Sequence, residues 1–420
     1  MKTRTFLLAI ASVAATLAIA QKPPLTHDVY DGWQNVSGNT LSRDGQWLMY
    51  GVNPQQGDNK IHVKSTSGSA AYSFERGRGQ RFTNDGQYVI STIVPEFLKS
   101  REATRNKVKP ADRPKNNLLI LDLSTGEETV LERVQSFNLP AKDSGWFVYR
   151  PEPPKKEDEK KEEKPDGGLD QEQEEEKEDE PKKKAGHGKG YTIVARNVAT
   201  GDEVSFENIS SYTIPEGGKA MIFARSPEGV EGHGVFSYDF ESGEETALLE
   251  GLGKYIRVVP NREASMVAIL TDKDDYESKK PVHSLYVYNA KSGEAKRIAE
   301  EGLNEGWWIP SGSSIRWNKA STRLMFGLQR KPSDEEPKKE FDDEKVSVDV
   351  WNWNDIELMP QQLLRVNSEK NRQYDAIYEV KSGKVVQIEN EMHKSVTIPS
   401  EGTPQYGMSV VGLASGAGAT

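Results

Sequence analysis

The sequence predicts an all-β protein, a β-propeller of about seven four-stranded blades whose last blade is incomplete. Two turn signatures that alternate along the chain, and their spacing, carry this reading. The first signature is a small turn running into a β-rich segment. The second is a strand that enters a tight Ser/Thr-Gly turn and leaves as another strand. Successive units lie about forty-odd residues apart where nothing intervenes, in the range of one four-stranded blade. A β-sandwich also has many short strands at regular spacing, but the repeated Ser/Thr-Gly signature favours the propeller.

The first signature begins at Leu41-Ser-Arg-Asp-Gly-Gln-Trp-Leu-Met-Tyr50 and returns at Phe82–Ile90 and Leu139–Tyr149. Weaker copies follow at Ile214–Phe223, Val259–Ile269, Ile315–Phe326 and Ile398–Val410, which makes seven. The second is clearest in Leu118-Leu-Ile-Leu-Asp-Leu-Ser-Thr-Gly-Glu-Glu-Thr-Val-Leu131. Its partners centre on Thr66-Ser-Gly68, Ala199-Thr-Gly201, Glu241-Ser-Gly243, Lys291-Ser-Gly293 and Lys381-Ser-Gly383. Glycine takes the positive φ that such a turn needs, and the flanking β-branched and aromatic residues alternate between two faces, so each copy predicts a hairpin. One blade cannot bury its own faces, so Val, Ile, Tyr and Trp recur in every unit.

Before the first unit, Lys2 and Arg4 precede an apolar run, Phe6 to Ala20, that ends in Ala18-Ile19-Ala20. This is the pattern of a signal peptide over residues 1–20, too short and too Ala-rich for a membrane span. The expected location is therefore periplasmic or extracellular, with a propeller over 21–420 and no span after cleavage. There is no cysteine, so disulfides, thiolate metal sites and a cysteine nucleophile are excluded.

Only 35% of the 420 residues are hydrophobic, which points to a part of the chain that does not pack. From Pro151 to Lys184 fifteen acidic residues stand against nine basic ones within a net charge of −10. Such a composition buries too little apolar surface to offset the entropy of ordering it. A charged, disordered insertion is expected over 151–190, and a second charged insertion over 331–345. The remainder lacks the basic patch of a nucleic-acid binder.

The repeated Asp-Gly-x-Trp/Tyr and Ser/Thr-Gly-Glu units, with Trp33, the strand around Tyr50 and the Gln56-Gly-Asp58 turn, resemble the amino-terminal propeller of secreted bacterial prolyl oligopeptidase-type serine peptidases. Val346 to Leu364, with Asp349-Val-Trp-Asn-Trp353 and Met359-Pro-Gln-Gln362, is similar to a stretch of large bacterial members. The resemblance covers Leu25 to about Ser400. It implies that the chemistry resides in an α/β-hydrolase domain, whose Gly-x-Ser-x-Gly elbow exposes the nucleophile, followed in order by an aspartate and a histidine. The 420 residues contain no Gly-x-Ser-x-Gly, and Gly412-Leu-Ala-Ser415-Gly-Ala-Gly418 has the wrong spacing. No catalytic residue is therefore assigned. Members that remove dipeptides hold the substrate amino terminus with a glutamate pair. After Trp146-Phe-Val-Tyr149 this chain has Arg150-Pro-Glu152-Pro-Pro instead, and Glu152 reads as a solvated residue at the mouth of the insertion.

His27, His62, His187, His233, His283 and His393 are scattered singly, without zinc-ligand spacing, and read mostly as surface or strand residues. Asp272-Lys-Asp274-Asp275-Tyr-Glu277 lacks the glycine and spacing of a calcium loop and reads as a solvated hairpin tip. No metal or cofactor is called for. Trp307-Trp308 and Trp351-Asn-Trp353 read as packing between blades. Gly77-Arg-Gly79 and Gly188-Lys-Gly190, which lack the strand-to-helix context of a phosphate cradle, read as loops. Two functional classes remain. The chain is either the portion of a serine peptidase that filters peptide access to a catalytic domain outside it, or a stand-alone secreted propeller that binds a protein or carbohydrate.

Overall fold

The computed structural model describes residues 30, 33–142, 145–153, 190–278, 280–298, 303–331, 358–398 and 407–409. The leader 1–20, the insertion residues 154–189 and 332–345, Asp349 to Trp353 and the look-alike at 412–418 lie outside them. The chain separates into two compact units, Met1–Glu132 and Arg133–Thr420.

The first unit holds two blades, each an antiparallel meander of four strands. Blade 1 consists of β1 (Gln34–Leu41), β2 (Trp47–Pro54), β3 (Lys60–Ser65) and β4 (Ala71–Glu75). Blade 2 consists of β5 (Gly77–Phe82), β6 (Tyr88–Ile93), β7 (Asn117–Asp122) and β8 (Glu128–Leu131), with helix α1 (Phe97–Arg105) between β6 and β7.

In the second unit, β9 (Val134–Asn138), β10 (Trp146–Pro151), β11 (Tyr191–Asn197), β12 (Glu203–Thr213), β13 (Ala220–Arg225), β14 (Gly234–Asp239) and β15 (Glu245–Glu250) form one seven-stranded sheet. Two blades share the long β12. Residues 203–206 pair with β11 as the fourth strand of blade 3, and 211–213 pair with β13 as the first strand of blade 4. Blade 5 is β16 (Tyr255–Pro260), β17 (Met266–Thr271), β18 (Ser284–Asn289) and β19 (Glu294–Arg297). In blade 6 the first strand is split into β20 (Trp307–Trp308) and β21 (Ile315–Trp317), both paired to β22 (Arg323–Arg330). Helix α2 (Met359–Lys370) precedes β23 (Tyr374–Glu379) and β24 (Lys384–Gln387). A pair of short strands, β25 (Val396–Thr397) and β26 (Met408–Ser409), flanks the seventh turn copy, whose residues 399–406 are outside the described set. Six blades are thus in place among the described residues, and the fold is all-β with propeller-type blades.

Both turn signatures do the same job in every blade. The Ser/Thr-Gly turn joins the third and fourth strands, and its glycines, Gly68, Gly126, Gly201, Gly243, Gly293 and Gly383, have φ between 68° and 80°. A side chain on the preceding strand often caps the turn: Asp239 Oδ1 accepts the backbone N–H of Glu241 at 2.9 Å and of Ser242 at 2.8 Å, and Asp122, Asn197 and Asn289 act alike. The first signature joins the first and second strands. It too needs a positive φ, at Gly45, Gly86, Gly145 and Gly218, and at Ala264 and Ser321 in the weaker copies. A hydrogen bond then ties one turn to the other: the N–H of Thr66, Leu123, Val198, Phe240, Ala290 and Val380 reaches the carbonyl of Gln46, Gln87, Gly145, Lys219, Ser265 and Thr322 respectively, at 2.8–3.0 Å.

The apolar clusters lie between neighbouring blades. In the first unit Met49, Ile61, Val63 and Phe74 of blade 1 meet Val89, Leu119 and Leu121 of blade 2. In the second unit three such clusters join blades 3 to 4, 4 to 5 and 5 to 6. A middle strand is covered on both faces, so β7, β13, β17 and β18 are buried along nearly their whole length. Their sequences are accordingly continuous apolar runs rather than alternating ones. The fourth strands are more open: Glu128 and Val130 of β8 and Glu294, Lys296 and Arg297 of β19 are exposed.

Three details depart from the sequence reading. Pro151 belongs to β10, so the strand extends one residue into the range expected for the insertion. The two helices were not anticipated; α1 buries only Ala103 and α2 buries nothing, so neither carries the apolar stripe by which a helix is recognised. Gly77-Arg-Gly79 opens β5 rather than forming a loop.

The Asp239 carboxyl is held below the usual aspartate range by the N–H groups of Ser242 and Glu241, which outweigh its slight burial. A depressed folded-state pKa contributes stability above the unfolded value of about 3.9, and this is lost as pH falls through the folded value. Asp239→Ala is expected to cost about 1 kcal/mol at neutral pH. In thermal melts the gap between variant and parent should close as the pH drops below that of an ordinary aspartate.

Candidate functional site

In blade 1 the connection between β2 and β3 is the Gln56-Gly-Asp58 turn, and in blade 2 the chain leaves β6 through Val94-Pro-Glu-Phe97 into α1. These two connections and the adjoining ends of β1, β2 and β5 enclose a cavity of about 630 Å³, a size that suits a small-molecule ligand. Asp58 fixes one wall, because its Oδ1 accepts the Phe97 N–H at 2.9 Å and so satisfies a free donor at the start of α1. Asn59 Nδ2 donates to the Gly77 carbonyl at 2.8 Å, and Asn53 Nδ2 donates to Asn35 Oδ1 and Ser37 Oγ at 3.0 and 2.7 Å. On the opposite wall β5 is bulged, its pairing shifting between Arg78 and Arg81 with Gly79 at φ 62°. A bulge re-aims side chains, and Arg78 and Gln80 line the cavity here.

The electrostatics of this cavity are incomplete. Arg78 is exposed and forms no ion pair or hydrogen bond among the described residues. Asp58, the carboxylate in the lining, is not within the 4.0 Å of Arg78 that would make an ion pair, and Phe97 is its hydrogen-bond partner. The rest of the lining is amides, hydroxyls and backbone, with Phe97, Val94, Pro95 and Ile61 as apolar surface.

A second cavity, about 450 Å³, lies in the other unit against the first strands of blades 5 and 6. Its charges are already spent: Arg262 pairs with Glu216 and Arg316 with Asp375. The Trp317 indole N–H closes it by donating to the Val259 carbonyl at 2.9 Å. It reads as a seam between blades.

The other residues singled out by sequence fall elsewhere. Asp272 is not a solvated tip: it is 3% exposed and its carboxylate accepts the Lys254 N–H at 2.6 Å. Asp274 accepts the Tyr286 hydroxyl at 2.7–2.8 Å. Although burial would raise its pKa, that hydroxyl, Ser284 and Lys273 hold it below the ordinary value. These acids therefore close the β17–β18 connection. Among the described residues no group of three His, Asp or Glu side chains could hold a metal ion.

His233 and His283 are buried rather than superficial; burial lowers the pKa of His283, the nearby Asp272 opposing only in part. His62 lies on β3, and His393 Nδ1 is 3.3 Å from Ser409 Oγ. His27, His187, Gly188-Lys189 and Trp351–Trp353 lie outside the described residues. Trp307 packs in the core between blades 5 and 6, edge-on to Tyr374 with ring centres 4.8 Å apart. Glu152 is half-buried, and its backbone N–H donates to the Arg133 carbonyl at 2.7 Å. Among the described residues no helix is long and apolar enough to cross a membrane.

No protein-family model matches the chain, and no curated protein does. Solved structures do. The β-propeller domain of the Trilobed protease from Pyrococcus furiosus is 13% identical, over 86% of each chain, with a TM-score of 0.35. Prolyl oligopeptidase B from Galerina marginata is 11% identical over 89% of this chain and 45% of that one, with a TM-score of 0.37. An oligogalacturonate lyase from Vibrio parahaemolyticus is 11% identical over 86% and 79%, with a TM-score of 0.35. The chain thus spans a little under half the length of the prolyl oligopeptidase.

Gly77 lines the cavity at a point with no room for a side chain. A Cβ there would lie 2.5 Å from Ile61 Cγ1 and 2.6 Å from Phe74 Cε2, both core atoms. Gly77→Ala is expected to destabilise the protein by about 1–3 kcal/mol, read as a lowered midpoint in urea.

Proposed function

We propose that this chain is the propeller portion of an exported prolyl oligopeptidase-type serine peptidase, and that it filters the peptides that reach a catalytic domain outside these 420 residues. The supporting observation is the placement of the family-like residues. The Gln56-Gly-Asp58 turn, which carries part of the sequence resemblance, contributes Gly57 and Asp58 to the rim of a cavity whose two charged side chains, Asp58 and Arg78, form no ion pair among the described residues. A polar cavity with amides and two opposite charges suits peptide backbone, and the chain contains no Gly-x-Ser-x-Gly with which to cleave it. Export rests on Lys2, Arg4 and the apolar run to Ala20.

The test is to incubate the purified chain with a panel of short chromogenic peptides and, in parallel, with a serine-directed fluorophosphonate label. Neither turnover nor labelling is expected, while the uncleaved peptides should protect the chain against thermal unfolding in a concentration-dependent way. Labelling of a serine would show that the chain has catalytic machinery of its own. Absence of any thermal shift with every peptide would remove the peptide-handling role.

A further inference from the structure

The cavity of the first unit has a positive pole and a negative pole that do not neutralise each other. Arg78 offers a guanidinium with all its donors unused, and Asp58 offers its second carboxylate oxygen, the first being taken by the Phe97 N–H. Both side chains are exposed, so water hydrates them in the free protein, and a ligand that carries both complementary charges can replace that water with direct contacts. A guanidinium is the group best matched to a carboxylate, which it binds through two parallel hydrogen bonds. A free carboxylate wall is in turn a partner for an ammonium group. The same lining holds Gln80 and Asn116, whose amides have no hydrogen-bond partner among the described residues, and Asn59, whose Nδ2 serves the Gly77 carbonyl. Phe97, Val94, Pro95 and Ile61 supply apolar surface beside them.

We propose that this cavity binds a short zwitterionic peptide of dipeptide size, with its carboxylate on Arg78, its ammonium on Asp58, its peptide bond among Gln80, Asn116 and Asn59, and an apolar side chain against Phe97. The assignment rests on the peptide-handling role proposed above and narrows it to a ligand with both termini free. A blocked peptide of the same sequence would leave one pole buried against a neutral group, and it is the unpaired pole that discriminates. Arg78 sits on β5, and Asp58 in a turn fastened to α1 by the Phe97 N–H. The recognition is therefore largely preformed.

The experiment is calorimetric titration of the full chain with Ala-Phe, with its C-terminal amide and with its N-acetyl form. Ala-Phe should bind at least about tenfold more tightly than either blocked form. Arg78→Gln should erase the preference for Ala-Phe over the amide and leave the preference over the N-acetyl form. Asp58→Asn, which keeps an oxygen for the Phe97 N–H, should do the converse. Arg78 is exposed on a strand edge and its substitution leaves the fold intact, so that arm decides the matter if Asp58→Asn alters the melting temperature. Equal affinity for all three ligands, or an Arg78→Gln variant with the parent's selectivity, overturns the proposal. An N-acetylated, C-amidated hexapeptide separates the two levels of the argument. If it binds while Ala-Phe does not, peptide handling stands and the zwitterion site falls. If neither binds, both fall.

Discussion

Each blade depends on one backbone hydrogen bond, the one that ties its third-to-fourth turn to its first-to-second turn. The bond recurs in all six blades at nearly one length, although the side chains around it differ. It fixes both hairpins of a blade at the same edge and so sets the register of four strands at once. A slip of one residue in any of them would turn its apolar set from the interior to solvent. The turns can hold this position because each contains a residue with positive φ and, in most copies, a carboxylate or amide that satisfies the free N–H groups of the bend. The packing between blades follows. Once the strands are in register, the middle strands bring their apolar residues against those of the neighbouring blade.

This division explains what could be read from the sequence. The six Ser/Thr-Gly turns were legible because glycine at that φ has few substitutes. The first-to-second turns were legible in full strength where glycine occupies the strained position, and only faintly at Ala264 and Ser321, where another residue adopts it. In those two blades Asn261 and Asn318 accept the N–H of Met266 and of Arg323, the role that Ser42 and Thr83 fill in blades 1 and 2. The helices carried no signal of their own, since neither buries an apolar face. In the split first strand of blade 6, β21 falls within the Ile315–Phe326 signature, whereas β20 is two residues long and is defined by its pairing to β22.

The candidate cavity was half legible. Gln56-Gly-Asp58 stood out as a turn, and the cavity lies behind it. Arg78 did not, because a glycine-flanked arginine reads as loop whenever the neighbouring hydrogen bonds are unknown. Only the bulge in β5, which depends on pairing with Thr92 and Ile90, turns it into a wall residue. Asp272 was misread for the complementary reason. An acid in a polar run looks solvated, yet its carboxylate substitutes for a missing backbone acceptor at the start of β16. Long-range hydrogen bonds of this kind leave no local pattern in a sequence.

The tied turns occupy one edge of every blade, and the connections between second and third strands emerge at the other. All the long departures from the repeat begin there: the segment with α1 after β6, the charged stretch after β10, and the stretch with α2 after β22. A connection that takes part in no turn-to-turn bond can lengthen by a helix or by dozens of charged residues at only a slowly growing entropic cost. Each blade therefore has a conserved-length edge and a growth edge, and the candidate cavity lies on the growth edge. Variation in length and in ligand chemistry thus share the same location, so the protein can acquire new recognition surfaces there while the machinery that holds its strands in register is untouched.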